Sequence, residues 1–383
     1  MTAGPALLFD LVPALRRGPP WPSLGRWPTA IEPIDGLGRS CGLPSGELWI
    51  KRDDASAPEY GGNKIRTLEP LLGEALACGA RVACATGAFG SNHAVATAWH
   101  APRLGLQPDA VLFSQPPSAT ARDNVLALLA LGVRPWIVPM LALPLAMLAA
   151  RRRRPAREAG VFVMPPGGAT PRGALGYVAA GLELAAQVRA AHAPRPRTIV
   201  LPVGSTCTTA GLIVGIALAR ARALGFEGDP PRIVAVRVTP WPVTARARIL
   251  RLAGRTARAL EAWGAGGALL DEVRRVGRAV AIDGRQLGAG YGRTTEAGLR
   301  ARERFEACGL PPLDTTYSAK AGAALLERAS SLPRPIFFWA TKSSAPLPVP
   351  NPDIVHAAPR ALRRFLDRCA RCEPLLHPRG TAR

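Results

Sequence analysis

The strongest constraint on the fold is an alternation that runs almost the length of the chain. Short runs of apolar and β-branched residues end in Gly-, Ser- or Thr-rich loops, and longer Ala- and Leu-rich stretches with helical apolar spacing follow them. The runs are ELWIKRDD (Glu47–Asp54), RVACATGA (Arg81–Ala88), DAVLFSQ, RPWIVP, VFVM, TIVLPV, PRIVAVRV and PIFFWATKSS. Strands alternating with helices predict an α/β protein with parallel sheets, since parallel strands need a crossover helix to join them. In such sheets the loops after the strand C-termini gather at one edge and form the ligand crevice. At 383 residues the chain is long for one core and comfortable for two. We therefore expect two lobes, each a mostly parallel sheet flanked by helices. Residues 1–66 and 191–383 would form the larger lobe and 67–190 the smaller. Residues 1–45, rich in Pro and Gly, read as an extended arm, and the Ala/Arg-rich segment from Thr244 to Arg278 reads as helical.

Lysine is scarce: Lys51, Lys64, Lys320 and Lys342 stand beside 45 arginines. Arg cannot be deprotonated in a protein, whereas Lys can lose its proton and attack a carbonyl as a free amine. Lys64 lies in GGNKIR (Gly61–Arg66), where two glycines and an Asn suit a tight turn at the mouth of a helix. A lysine there suits covalent attachment of a carbonyl cofactor. By itself GGNK reads as a surface lysine after a loop; other loops in the chain change that balance.

The net charge of +22 raises nucleic acid as a partner, but the arginines are spread along the chain, with one dense block at Arg151–Arg154. Charge alone is a weak signal, and nucleic-acid binding is disfavoured. Seven scattered cysteines read as free thiols in a reducing cytoplasm. Cys369 and Cys372 with His377 lack the second CxxC of a four-ligand zinc site, so no metal is expected. The N-terminus does not read as a signal peptide. The uncharged segment from Pro135 to Ala150 is 16 residues long and carries Pro139 and Pro144, so a short strand and an apolar helix are expected there rather than a membrane span.

GSTCTTAGL (Gly204–Leu212) follows an apolar strand and opens a long helix. Small hydroxyl residues and glycine let backbone N–H groups close on an anion, and the helix N-terminus adds positive potential. It lacks the GK[ST] ending of a P-loop and is not GxGxxG, so a single phosphate is the natural guest. A lysine able to form an imine together with a phosphate cradle implies pyridoxal phosphate (PLP).

The ordered set WPTAIEPI, ELWIKRDD, GGNKIRTLE, GSNHA, GGATPRGALGY, GSTCTTAGL, GAGYGRTTE and DTTYSAKA resembles the fold-type II PLP-dependent enzymes related to tryptophan synthase β. Within them it is similar to the family of D-cysteine desulfhydrase and 1-aminocyclopropane-1-carboxylate (ACC) deaminase, from about Trp27 to about Pro346. The resemblance implies that Lys64 holds PLP and exchanges protons at the substrate α-carbon. It implies that Ser91 acts as a catalytic hydroxyl and that Asn92 bonds the cofactor's phenolic oxygen. The Ser91–His93 loop would bind the substrate carboxylate, so that Ser91, Asn92 and His93 all face substrate. Gly204, Ser205, Thr206, Cys207 and Thr208 would cradle the phosphate. Tyr291 and Tyr317 would flank the substrate, and Ser318 would face the pyridine nitrogen. The implied enzyme is a cytoplasmic homodimer and acts on a small amino acid.

One position bears on the reaction. ACC deaminases carry Glu where this chain has Ser318, and tend to have Gln at His93; the desulfhydrase-like members carry Ser or Thr at the former. Both positions favour β-elimination giving a 2-oxo acid and ammonia. ACC-type ring-opening deamination, and a biosynthetic relative that captures the eliminated intermediate with a nucleophile, stay as alternatives. Outside the enzymes, a basic nucleic-acid-binding protein with a degenerate enzyme fold is the remaining reading. Departures from the family pattern are Gly90 for Gln before SNH, Thr206 and Cys207 for two glycines, and Thr315, Thr316 and Ala319 around Tyr317. A late HTGG-like motif reads ATKSS; Lys342 in it reads equally as a lysine at a loop edge or as a cation that selects a substrate with a second anionic group.

Overall fold

The computed structural model describes residues 4–152 and 160–376, with side chains to residue 371. Arg153, Arg154, the side chain of Cys372, and His377 thus lie outside the described residues. Among the described residues ten strands are present in two sheets. In chain order they are β1 (Ile31–Pro33), β2 (Leu48–Lys51), β3 (Val82–Ala88), β4 (Gln107–Phe113) and β5 (Trp136–Ile137). Then follow β6 (Val161–Met164), β7 (Thr198–Val203), β8 (Arg232–Arg237), β9 (Val280–Asp283) and β10 (Ile336–Trp339). The larger sheet has the order β1-β2-β10-β7-β8-β9, and every pairing in it is parallel except β1 with β2. The smaller sheet, β5-β4-β3-β6, is parallel throughout. This is the predicted α/β architecture of two mostly parallel sheets flanked by helices.

Strands β3 and β7 lie inside their sheets and are buried at every residue, as central parallel strands covered on both faces must be. They read as unbroken small or β-branched runs (VACATGA, TIVLPV) for that reason. The two cores do not follow the chain segments in a simple way. The Pro171–Arg189 helix packs through Leu175, Tyr177, Val178 and Leu182 into the core of the larger sheet, with Ile199 and Leu201 of β7. The C-terminal Arg360–Leu376 helix packs into the smaller core through Leu362, Phe365 and Leu366, with Phe365 edge-on to Phe89. The Pro171–Arg189 helix thus packs on the core of the larger sheet, and the C-terminal helix on that of the smaller.

Two local expectations are corrected and a third holds. The N-terminal arm is not extended throughout: it holds a Pro5–Leu11 helix, whose Leu8 is buried beside Val12 and Leu15, and the edge strand β1. The arm is pinned by one buried carboxylate, because Trp21 Nε1, Leu24 N, Gly25 N and Trp27 Nε1 all donate to Glu69 at 2.9–3.2 Å. The 244–278 segment is two helices, Arg246–Ala262 and Leu269–Arg278, separated where Gly264 and Gly266 take positive φ. The segment around Pro139 is a short strand and a helix, as expected, and among the described residues no helix is long and apolar enough to cross a membrane.

Candidate active site

The site is built where strand ends of both sheets meet. Gly61 and Gly62 bring the chain against the loop after β10: Gly61 N donates to Ser343 Oγ and Asn63 N to Thr341 O, both at 2.9 Å. A Cβ on Gly62, at φ 92°, would come within 2.8 Å of Thr341 O, so only glycine fits that turn. The Asn63–Ala77 helix starts there, with Lys64 in its first turn. Asn63 Nδ2 then donates to Thr208 Oγ1 at 2.9 Å, which ties this helix start to that of the Cys207–Ala221 helix after β7. Two helix N-termini thus converge with Lys64 between them.

The Gly204–Thr208 loop is shaped for an anion. No side chain caps the Cys207 helix, and its cap residue Thr206 adopts a left-handed conformation at φ 73°. That conformation costs a non-glycine residue about 1–2 kcal/mol, which explains why glycine is the family's choice at this position. Thr209 Oγ1 is buried without a partner at the same helix start. Gly204 packs under Tyr317, and Gly167, from the loop after β6, leaves room for Ser205 Oγ, which a Cβ there would strike. Cys207 turns its thiol inward to Gly168 O at 3.3 Å, and burial pushes that thiol up to about 11, so it stays protonated. Its cradle contribution is the backbone.

Ser91 caps the Asn92–His100 helix by accepting from Ala94 N at 3.2 Å, which leaves its own proton free to donate. Asn92 Oδ1 accepts from Asn124 Nδ2 at 2.7 Å and from Lys342 Nζ at 3.1 Å. Its amide is therefore oriented with Nδ2 toward other acceptors. Lys342 also reaches Asn124 Oδ1 at 3.4 Å and lies over the Tyr60 ring. Its nitrogen thus helps to position Asn92. Lys342 and Asn124 also line a cleft of about 490 Å³ between the lobes, together with Thr120, Arg302, Asp314 and Thr315.

The Tyr291 and Tyr317 hydroxyls are hydrogen-bonded to each other. Burial pushes the Tyr291 phenol up to about 12, and burial with the neighbouring Tyr291 raises Tyr317 further. Both keep their protons at neutral pH. Lys320 holds the Tyr291 loop in place by donating to Leu287 O and Gly290 O at 2.8 and 3.2 Å. Ser318 is a neutral hydroxyl with a charged neighbour. Its Oγ donates to Asp314 Oδ1 at 2.5 Å and accepts from Asp314 N, so a carboxylate stands directly behind it. Burial lowers the basicity of Lys64, and among the described residues no carboxylate pairs with it.

The His93 ring is buried, with neither nitrogen bonded. Burial, and then the Lys64 charge, hold it down to about 3. The unfolded chain binds a proton at His93 near pH 6.5 and the folded chain does not, so stability is lost as pH falls from 6.5 toward 3. The expected cost of this residue at pH 5 is about 2 kcal/mol. Denaturant midpoints at pH 7 and pH 5 check it: a His93→Phe protein that loses as much stability as wild type over that interval contradicts the assignment.

The sequence missed Asn124 and Asp314. Each acts through another residue's amide or hydroxyl, and an Asn in a helix or an Asp before a turn gives no distinctive spacing.

The donors present fit PLP: an unpaired amine, an uncapped helix start with an orphaned buried hydroxyl, and an amide aimed away from its partners. The comparisons agree. Residues 22–341 match the family model described as "Pyridoxal-phosphate dependent enzyme". The chain is 34% identical over 324 residues to nocardicin C-9' epimerase of Nocardia uniformis subsp. tsuyamanensis, covering 83% of this chain and 90% of that protein. It is 36% identical to D-cysteine desulfhydrase of Salmonella paratyphi A over 49% of this chain and 58% of that one. The solved structure of an ACC deaminase homologue superposes with a TM-score of 0.68 at 25% identity, covering 94% of this chain and 98% of that one. Fold, donor set and family match coincide, and the chain belongs to the pyridoxal-phosphate-dependent enzymes of fold type II, in the group of ACC deaminases and D-cysteine desulfhydrases.

Proposed function

We propose that the chain is a lyase that removes the α-proton of a small amino acid and expels a β-substituent, in the manner of a D-cysteine desulfhydrase. The observation that carries this reading is Lys64, an unpaired amine of lowered basicity set between two helix N-termini. Bound PLP supplies an electron sink that acidifies the α-carbon of an amino acid attached through its nitrogen. The chain's own residues do the rest. The free amine of Lys64 takes the α-proton. The hydrogen-bonded Tyr291 and Tyr317, both held protonated, give a proton to the β-substituent as its bond to carbon breaks with the electron pair leaving on it. Ser91 and the start of the Asn92 helix orient the substrate carboxylate. Water then cleaves the carbon–nitrogen bond of the eliminated product, giving a 2-oxo acid and ammonia.

Asp314 behind Ser318 supports a second reading. The missing Glu argues against ACC-type ring opening, but a carboxylate one hydrogen bond further away restores part of that negative charge. Epimerisation at the α-carbon shares the proton removal and differs in returning a proton with no group leaving; the Nocardia relative carries that activity in its name.

The deciding experiment is the visible spectrum of the protein loaded with PLP. A band near ~410–430 nm, the range expected of a PLP–lysine bond, that borohydride abolishes with fixation of the cofactor on Lys64 is the expected result. Amino acids that displace the band are then assayed. Ammonia with 2-oxo acid supports elimination or ring opening, which the 2-oxo acid formed distinguishes, and inversion without ammonia supports epimerisation. A protein that stays colourless with added PLP sinks all three.

A further inference from the structure

Lys342 follows β10 and is half-buried on the wall of the cleft between the lobes. Its Nζ donates to Asn92 Oδ1 at 3.1 Å and to Asn124 Oδ1 at 3.4 Å. Asn124 Nδ2 donates to the same Asn92 oxygen at 2.7 Å. A carbonyl oxygen has two lone pairs, so Asn92 Oδ1 is fully used. Asn124, itself held by Gly90 O, is already enough to fix which way the Asn92 carboxamide points. What Lys342 adds is charge. Among the described residues no carboxylate lies within ion-pair distance of it, and Asp314 and Asp123 attract it from further off. A cation on an amide oxygen draws electron density away from the amide and strengthens the N–H groups at its other end as donors to an anion.

The placement of the loops gives the identity of that anion. The Asn92–His100 helix starts after β3 of the smaller sheet, and the Cys207 helix with its anion cradle starts after β7 of the larger one. Lys64 stands between them: its Nζ is beside Gly167 and the Ser205 loop, and its charge acts on His93, next to Asn92. PLP carries two anionic groups, the phosphate arm and the phenolic oxygen, on either side of the ring position whose carbonyl bonds the lysine. With the phosphate at the Cys207 helix, the phenolic oxygen falls toward the smaller lobe. There Asn92 Nδ2, which has no partner among the described residues, is the open donor.

We propose that Lys342 is a positioning residue for the cofactor: acting through the Asn92 amide, its charge offsets that of the phenolic oxygen of PLP. The role concerns the PLP–lysine bond itself and holds for whichever reaction follows. The phenolic oxygen is adjacent to the nitrogen of that bond, so a cation behind it opposes a proton on the nitrogen. Lys342 therefore shifts the balance toward the unprotonated bond. Asp314, Asp123 and Arg302 are the other charged groups around the cleft at Lys342, which also lies over the Tyr60 ring. Near Lys64 and elsewhere in the site, His93 is held neutral, and Cys207, Tyr291 and Tyr317 keep their protons. The two carboxylates oppose the effect of Lys342, and they remain when it is replaced.

The test uses the PLP-loaded protein without substrate. The band near ~410–430 nm belongs to the protonated PLP–lysine bond and fades as pH rises, and its midpoint is read between about pH 6 and about pH 11. Lys342→Gln keeps a donor for Asn92 Oδ1 and removes the charge. It is expected to raise the midpoint by about one pH unit, the effect of one charge ~7 Å away in a partly solvated site. Lys342→Met, which removes the donor as well, is expected to raise it at least as far. No carboxylate pairs with Lys342, so neither variant leaves a buried anion alone, and both are expected to fold. Loss of PLP by both variants, in chains with the wild-type denaturant midpoint, is the stronger form of the same result, because Gln keeps the hydrogen bond. A midpoint within ~0.3 pH units of wild type in both variants, a fall in either, or a rise confined to Lys342→Met would overturn the proposal. Borohydride fixation at Lys64 in the wild type is read first. Its absence overturns the role of Lys342 together with that of Lys64, whereas fixation with an unmoved midpoint removes only the role of Lys342.

Discussion

Glu183→Ala is expected to destabilise the protein by about 3–5 kcal/mol, the usual cost of removing one partner of a buried ion pair. Glu183 lies on the Pro171 helix and is fully buried. It accepts from Lys51 Nζ at 2.5 Å, from Arg66 Nη1 and Nη2 at 3.0 and 2.9 Å, and from Thr29 N at 3.0 Å. Arg66 is bidentate to Asp53 as well, and Tyr177 and Trp339 donate to the same Asp53. Two buried cations thus face two buried carboxylates. Burial alone would push Glu183 up, but Arg66 and Lys51 outweigh it and hold the carboxyl below its usual range. Its contribution is therefore present above the unfolded value of about 4.5 and is lost as pH falls through the lower folded value. Removing Glu183 leaves Lys51 and Arg66 sharing one carboxylate out of water. The lost stability is measured as a fall in the denaturant midpoint at constant slope. Lys51→Met combined with Glu183→Leu removes charge of both signs and is expected to cost less than Glu183→Ala alone. A single variant within about 1 kcal/mol of wild type, the range of an exposed pair, would show that the pair is hydrated. The network matters to the site because Arg66 is two residues beyond Lys64 on the same helix. It fixes the helix that carries the reactive amine to β2, the Pro171 helix and β10.

How much of this was legible in the sequence depends on whether a residue acts through its own chemistry or through another residue. The scarcity of lysine drew attention to four positions with distinct surroundings. Lys64 stands at the converging helix starts, Lys320 holds the Tyr291 loop, Lys342 bonds Asn92, and Lys51 is a buried counter-ion. Strand–loop–helix alternation located the sheets because central parallel strands must be apolar on both faces. Short edge strands escaped: VAID of β9 has too few residues to show a period, and β1 is hidden in a Pro-rich stretch. The membership of the Pro171 helix and of the C-terminal helix in their cores was not legible, because an apolar helical face does not say which sheet it meets. The partner of Ser318 was not legible for a related reason. Asp314 sits four residues earlier, and only the turn between them brings its carboxylate onto the hydroxyl. A carboxylate at one remove is invisible to a motif that asks only which residue follows Tyr317.

Lys64→Ala is expected to lower kcat/KM for whichever amino acid displaces the cofactor band by at least about 10³-fold, within the range that general acid–base groups contribute. The size follows from the lack of a substitute. Lys342 is engaged by Asn92 and Asn124, and Lys320 by two backbone carbonyls. His93 is held neutral near Lys64, but its ring is buried. Tyr291 and Tyr317 stay protonated and cannot serve as bases at neutral pH. Cys207, pushed up to about 11, is a thiol rather than a thiolate. Lys64→Arg separates charge from proton transfer: it restores a cation in the same place but cannot release a proton. It is expected to be as inactive as Lys64→Ala. Added methylamine fits the space left by the alanine variant and not by the arginine one, so partial rescue is expected in the first alone. An arginine variant within tenfold of wild type would mean that the positive charge of Lys64 matters and its free amine does not. The α-proton would then have to leave through the Ser91 side of the site. If instead both variants are dead and only alanine is rescued, the base is the amine at position 64, and the two converging helix starts exist to keep it unpaired.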